Sequence, residues 1–315
     1  MDRVSGERIV TTVTHLQDFG SRAYFSNSTW NASIYIHDRF AELGLWVTYQ
    51  DFQVLGHPQR NVIAVLNGTD PTEPQYLFGA HYDSITMDLL DSDGGDDAVA
   101  PGADDDASGV AATIELATVL HDQEFNSTVK FVAFAAEETG LNGSFVFVQK
   151  EFDDGVEYAD TVIMDMIGYR GSDRNKAFIF RDTAENSFAE STQNGIYSYG
   201  LNLSLTFLSG TDYGYSDHYP FWAVGYPSIM VIEDLIGGAP SNPYYHTVND
   251  TVDHLSEEQM TVITKALLAG FLSLQETAEE ETASSIPILA LAVIVVMAVA
   301  IITSLYLITR RKAVE

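Results

Sequence analysis

The chain has no cysteine among its 315 residues, which removes disulfides, thiolate nucleophiles and every cysteine-based zinc or iron–sulfur site at once. Any metal must be held by histidine and carboxylates. Positive charge is scarce as well: 15 Lys and Arg stand against 45 Asp and Glu, for a net charge of −30. A surface of that sign repels nucleic acid and anionic membrane faces, so nucleic acid is excluded as a partner. Only five of the cations are lysine, a composition equally compatible with a salt-adapted exterior and with an ordinary solvated acidic one. No HExxH, GxSxG, GxxxxGKS/T or GxGxxG occurs, so the signatures of helical zinc proteases, serine hydrolases and nucleotide-binding loops are missing. No internal repeat is visible.

What is present first divides the chain. Hydrophobic residues make up 46%, enough for a substantial core in one large domain. From Ile286 to Ile308 run 23 residues without a charge, followed at once by Arg310, Arg311 and Lys312. At ~1.5 Å per residue a helix of that length crosses the ~30 Å hydrocarbon layer, and the basic cluster stays on the cytoplasmic side. The expected organisation is one large folded domain over 1–275, an acidic linker over 276–285, a transmembrane helix over 286–308 and a short basic tail over 309–315. The expected location is the cell membrane, single-pass, with the large domain extracellular and the tail cytoplasmic. Seven of the twelve Asn residues begin Asn-X-Ser/Thr sequons (Asn27, Asn31, Asn67, Asn126, Asn142, Asn202 and Asn249), an excess that suggests glycosylated outward-facing loops. Met1 to Val10 carries four charges and no apolar stretch, so this topology implies a start that is internal or trimmed. The rival topology is a tail anchor with the domain inside the cell, which leaves the sequons unused.

Within 1–275, apolar runs of strand length alternate with helical patterns. Val62 to Leu66, Tyr76 to Ala80, Val129 to Ala135, Thr161 to Met166, Ala177 to Phe180, Leu203 to Leu208 and Ser228 to Ile232 read as buried strands. Helices are expected over Val10–Leu16, Ala32–Leu43, Ser108–His121, Leu141–Phe152, Thr183–Tyr199 and Glu257–Glu276. This alternation predicts an α/β fold of three layers, α/β/α, with a mainly parallel central sheet. Ligands of such sheets bind beyond the carboxyl ends of the strands. There the chain sets His81 and Asp83 after one run, Glu137 and Glu138 after another, Asp165 after a third, and Asp104, Asp105 and Asp106 just before a helix. Clustered carboxylates repel one another unless cations compensate them. Two divalent metals would do so, and carboxylate with imidazole suits zinc, cobalt or manganese. The Asp-rich stretch Asp88 to Asp97 lacks the ligand spacing of an EF-hand and reads as a solvated loop.

The segments that carry these residues are GAHYDS at Gly79–Ser84, PGADDDASGVA at Pro101–Ala111, FAAEETGLNGS at Phe134–Ser144, IMDMIGY at Ile163–Tyr169, SDHYPFWAVGYP at Ser216–Pro227 and YYHTVNDTVD at Tyr244–Asp253. In this order and spacing the chain resembles the M28 family of zinc-dependent aminopeptidases across nearly the whole of 1–275. The resemblance implies a zinc-peptidase/phosphorylase-like fold and hydrolysis of N-terminal residues from peptide substrates. It implies two Zn2+ ions (Co2+ or Mn2+ as substitutes), with His81 and Asp165 on one, Glu138 and His246 on the other, and Asp105 as the bridge. A cis peptide bond between Asp105 and Asp106 belongs to the same pattern. Asp83 would accept a hydrogen bond from the free nitrogen of His81. Glu137 would act as general base toward a metal-bridged water and return the proton to the departing amine. Tyr213 is the candidate donor to the oxyanion, with Tyr215 as competitor, and His218 is structural.

Two other readings stay open. A glutaminyl-cyclase-like transferase with a single zinc shares GAHYDS and IMDMIGY. A non-catalytic receptor ectodomain on the same fold is the second, disfavoured because all five ligands and the base are present.

Overall fold

The structure, a computed structural model, describes residues 1–87, 99–172, 174–183, 185–210, 214–236 and 239–275. The chain divides into two compact units, Met1–Phe271 and Leu272–Glu315, and of the second only 272–275, helical, is described. The expected linker, membrane helix and basic tail therefore lie outside the described residues, as does the stretch Asp88 to Asp97. Among the described residues no helix is long and apolar enough to cross a membrane.

In the first unit, β1 (Trp46–Val54), β2 (His57–Leu66), β3 (Gln75–His81), β4 (Val129–Phe134), β5 (Tyr158–Met164), β6 (Lys176–Arg181), β7 (Ser204–Ser209) and β8 (Ser228–Ile232) form one sheet. Their order is β1-β2-β4-β3-β5-β8-β6-β7. The four central strands β4, β3, β5 and β8 run parallel. They are the near-continuous apolar runs, as strands covered on both faces should be. The flanks differ from the expected mainly parallel sheet. β2 is antiparallel to β4 and β1 to β2, and β6 is antiparallel to β8, so the sheet is mixed. A tight turn at Leu55–Gly56, both with positive φ (50° and 88°), joins β1 to β2 without a crossover helix.

Helices α1 (Gly6–Asp18), α2 (Asn27–Glu42), α3 (Gly109–Leu120), α4 (Asn142–Asp153), α5 (Ser187–Tyr199), α6 (Tyr219–Ala223) and α7 (257–271) complete the unit. Ser5 and Ser26 cap the first two by accepting the N–H of Arg8 and Ser28. Alternation along β3 decides which side each helix covers. Leu77 clusters with Val132, Phe134 and Ile163 against Phe147 of α4 and Phe221 of α6. Phe78, one residue on, stacks with Phe131 and meets Phe188 of α5 and Phe271 of α7 edge to face, and Phe131 meets Phe40 of α2. The result is the three-layer α/β/α arrangement, with the carboxyl ends of four parallel strands on one edge.

Candidate metal centre

That edge gathers the residues singled out from the sequence. His81 is the last residue of β3, Glu137 and Glu138 follow β4, Asp165 follows β5, and Asp105 lies in the turn Ala103–Ser108 that leads into α3. His246 comes from the loop between β8 and α7. The two oxygens of Asp105 face opposite ways: Oδ1 lies 3.1 Å from Nε2 of His81 and Oδ2 lies 3.0 Å from Nε2 of His246. His81 Nε2 is also 3.8 Å from Asp165 Oδ1, and His246 Nε2 is 3.0 Å from Glu138 Oε2. Potential ligand atoms of Asp105, Glu138 and His246 lie within 4.8 Å of one another, as do those of His81, Glu137 and Glu138, and of His81, Asp106 and Asp165. Seven of the eight expected site residues, Asp83 included, are therefore brought together. Tyr213 lies outside the described residues.

The backbone is held into this shape by groups the sequence reading did not assign. Asp106, inside the recognised acidic triplet, accepts Gly109 N–H and Met166 N–H on Oδ1 and His81 N–H on Oδ2, which ties the helix start, β5 and β3 to one carboxyl. Asp250 accepts the N–H groups of Asp104 and Asp105, and Asp104 accepts from Gly168 and Asn242. The Asp105–Asp106 peptide bond is cis, as the resemblance implies. Fully buried Arg22 donates to the carbonyls of Tyr82, Leu16, Pro101 and Gly102. At Gly102, with φ of +51°, a Cβ would meet Asp105 O at 2.4 Å, so only glycine lets the turn close there.

Two expectations change in detail. Asp83 sits beside His81, but the imidazole Nδ1 approaches its main-chain carbonyl at 3.2 Å and its carboxylate only at 3.6 Å. The carboxylate instead accepts the N–H groups of Glu137 and Glu138 at 3.0 and 3.2 Å. Asp83 thus aims the two glutamates, because the turn after β4 presents two main-chain donors in parallel. Asn142, counted among the sequons, donates from Nδ2 to Ala136 O at 3.4 Å and to Thr139 O at 3.0 Å, bracing that same turn. His218 is buried and packs edge-on against Trp222 at the start of α6.

The electrostatics test whether cations fit. Burial first, then the carboxylates of Glu138, Asp217 and Asp165, push Glu137 well above the usual carboxylate range against the opposing pull of His81. Burial and the nearby Asp105 raise Glu138 to about 8, and burial raises Asp217 to about 7. Burial disfavours the charged form of His246, but Asp105 and Glu138 overcome it and lift the imidazole to about 10. Asp105 Oδ2, Glu138 Oε1 and His246 Nε2 are buried without a hydrogen-bond partner. Convergent buried acceptors that hold protons this tightly are groups a dication satisfies in the proton's place. Imidazole and carboxylate without thiolate form a donor set zinc accepts.

Beside the cluster opens a cavity of about 300 Å³. His81, Asp105, Glu137, Glu138 and Asp165 line one side; Met166, Phe180, Met230, Ile232 and Leu235 line the other. Tyr215 and Tyr245 also line it, and Tyr245 stacks on His246 with ring centroids 3.8 Å apart. Among the described residues that line it there is no Lys or Arg. The apolar wall could not be read from the sequence, because it is assembled from β6, β8 and the segments after β5 and β8.

The profile of peptidase family M28 matches residues 61–270. Leucine aminopeptidase 1 of Ajellomyces capsulatus (strain H88) is 29% identical over 273 residues, 82% of this chain and 68% of that protein. Some longer curated relatives are spanned by the match over only 41% and 43% of their length. The crystal structure of LapB from Legionella pneumophila superposes with a TM-score of 0.76 at 26% identity, covering 87% of this chain and 73% of that one. A glutaminyl cyclase of Bacteroides thetaiotaomicron, bound to N-acetylhistamine, superposes at 0.69 with 19% identity over 84% and 97%, a likeness of fold alone.

Proposed function

The chain belongs to peptidase family M28, a family of metallo-exopeptidases, and from that premise we propose that it is a two-zinc aminopeptidase releasing large apolar residues from peptide N-termini. The observation that carries the two-ion reading is Asp105, whose oxygens face two histidines from distant segments at 3.1 and 3.0 Å. In this reading His81 and Asp165 would hold one zinc and Glu138 and His246 the other, with Asp105 shared between them. Bound there, the ions act as Lewis acids toward the scissile carbonyl and lower the pKa of water.

Glu137 lies within the ligand cluster and carries no ligand role in this reading, so its carboxylate is free to take the proton of the attacking water and hand it to the departing amine nitrogen. Asp83, through the N–H groups of Glu137 and Glu138, keeps base and ligand in fixed relation. Tyr213 is the proposed donor to the oxyanion, with Tyr215, which lines the cavity, as competitor. The wall of Met166, Phe180, Met230, Ile232 and Leu235 accommodates an apolar first side chain, whose burial contributes roughly 1.5–3 kcal/mol. A cavity whose described lining holds carboxylates and no Lys or Arg suits the ammonium end of a peptide and offers, among the described residues, no partner for a C-terminal carboxylate. This favours aminopeptidase over carboxypeptidase action.

The test is to measure metal per chain and assay a panel of aminoacyl reporters with and without chelator. Two ions per chain, fastest turnover of leucine or a similar apolar residue, and restoration by zinc after chelation are expected. One ion per chain with formation of N-terminal pyroglutamate would establish the cyclase reading instead.

A further inference from the structure

A second cavity, of about 280 Å³, lies on the same edge of the sheet. Its walls include Tyr24, Trp30, His57, Gln59, Arg60 and Tyr82. The strand register shows where it sits. β2 runs against β4 with Val62 beside Ala133, so residues 57–61 lie level with the carboxyl end of β4, from which Glu137 and Glu138 follow. Asn61 confirms the level, since its side chain accepts Ala135 N–H and donates to Gly143 O. Tyr82, next to His81 in sequence, reaches across to donate to Arg60 O at 2.7 Å.

Strand order then gives a direction. The apolar pocket is built from Phe180 of β6, Met230 and Ile232 of β8 and Met166 after β5, all on one side of His81 in the sheet. A peptide whose first side chain fills that pocket and whose remaining residues follow the strand ends across the site runs toward β4 and β2. The second cavity lies there, two strands from His81 in the order β2-β4-β3, which at ~4.8 Å per strand is about 10 Å. An extended peptide advances ~3.3 Å per residue, so its third or fourth residue arrives at that distance.

The lining suits a side chain. Tyr24 and His57 pack edge to face with centroids 5.4 Å apart, and the guanidinium of Arg60 is clamped between Trp30 at 3.4 Å and Tyr49 at 4.0 Å. These rings are held in place before any ligand arrives. Gln59 is 4% exposed; its Nε2 donates to the carbonyls of Tyr24 and Pro58, while Oε1 has no donor.

Resting on the aminopeptidase reading, we propose that this cavity is a downstream subsite that takes the side chain of the third or fourth residue of a peptide, with aromatic residues favoured. The substrates are accordingly oligopeptides and not dipeptides. The test uses the zinc-loaded full chain and the pentapeptide Leu-Gly-Gly-Gly-Gly, with Phe placed in turn at positions 2, 3 and 4, and leucine amide as the reference. Phe at position 3 or 4 should raise kcat/KM about tenfold over the glycine peptide, the size of one buried aromatic contact. Tyr24→Ala, and independently the exposed His57→Ala, should bring that ratio close to one. Equal kcat/KM for all positions, or a ratio unmoved by both variants, would overturn the subsite. Absence of turnover on leucine amide itself would instead remove the aminopeptidase reading on which the subsite rests.

Discussion

Glu137 and His246 stand at the same centre, yet their removal should have separable consequences. Glu137→Gln keeps the shape of the side chain and takes away only its ability to accept a proton. We expect metal content intact and kcat lower by about 10²- to 10⁴-fold, the range of a lost general base; full retention of kcat would remove Glu137 from that role. His246→Ala deletes an imidazole that faces both Asp105 and Glu138 at 3.0 Å. Metal analysis should show loss of at least one ion together with activity, and stoichiometric binding of both would count against a ligand role. At this scale legibility was uneven. His81, Asp105, Glu137, Glu138, Asp165 and His246 stand in recognisable segments, because chemistry restricts residue type there. Arg22 has no such local mark, since its partners are four main-chain carbonyls at positions 16, 82, 101 and 102. Nor could residue type tell which atom of Asp83 meets His81.

Strand β5 couples the site to the core, and Asp160 inside it offers a test of the sheet's energetics. Its side chain is 1% exposed, and burial lifts its pKa from an ordinary 3.8 to about 7, against hydrogen bonds from Asn186 and main-chain N–H groups that lower it. The folded state therefore binds this proton more tightly than the unfolded chain, and Asp160 subtracts stability as pH rises from about 4 to 7. Asp160→Asn imitates the neutral form. Urea unfolding should find the variant about as stable as the parent at pH 4 and more stable at pH 8, by at least ~1 kcal/mol; a destabilised variant at pH 8 would contradict this assignment. The elements themselves were largely readable: every run taken as a buried strand overlaps a strand, although β7, at the edge of the sheet, is exposed or half-buried throughout and not buried. The missed β1, with its sequence WVTYQDFQV, is an edge strand interleaved with polar residues, so it lacks the continuous apolar run that marks a strand covered on both faces. Strand direction was less legible, because a hairpin and a crossover leave similar apolar runs in the sequence.

For the molecule as a whole, the proposal for 286–308 is a membrane anchor that holds 1–275 outside the cell. Full-length protein should stay with membranes through a high-salt wash, and protease added outside should digest the large domain while the basic tail remains protected. Release by salt would reject the anchor, and protection of the domain would reverse the topology. Such a segment is a property of composition, so the polypeptide itself determines the 23-residue uncharged run, the net charge of −30 and the exclusion of thiolate chemistry. Periodicity likewise dictates an α/β architecture with chemistry at strand ends, since burial on two faces demands unbroken apolar strands. Folding alone decided that Asp105 faces two histidines, that Asp83 points at main-chain N–H groups, and that an apolar-walled cavity opens beside the cluster. These depend on contacts between residues tens to hundreds of positions apart, and no local pattern encodes a distance of 3 Å across such a separation.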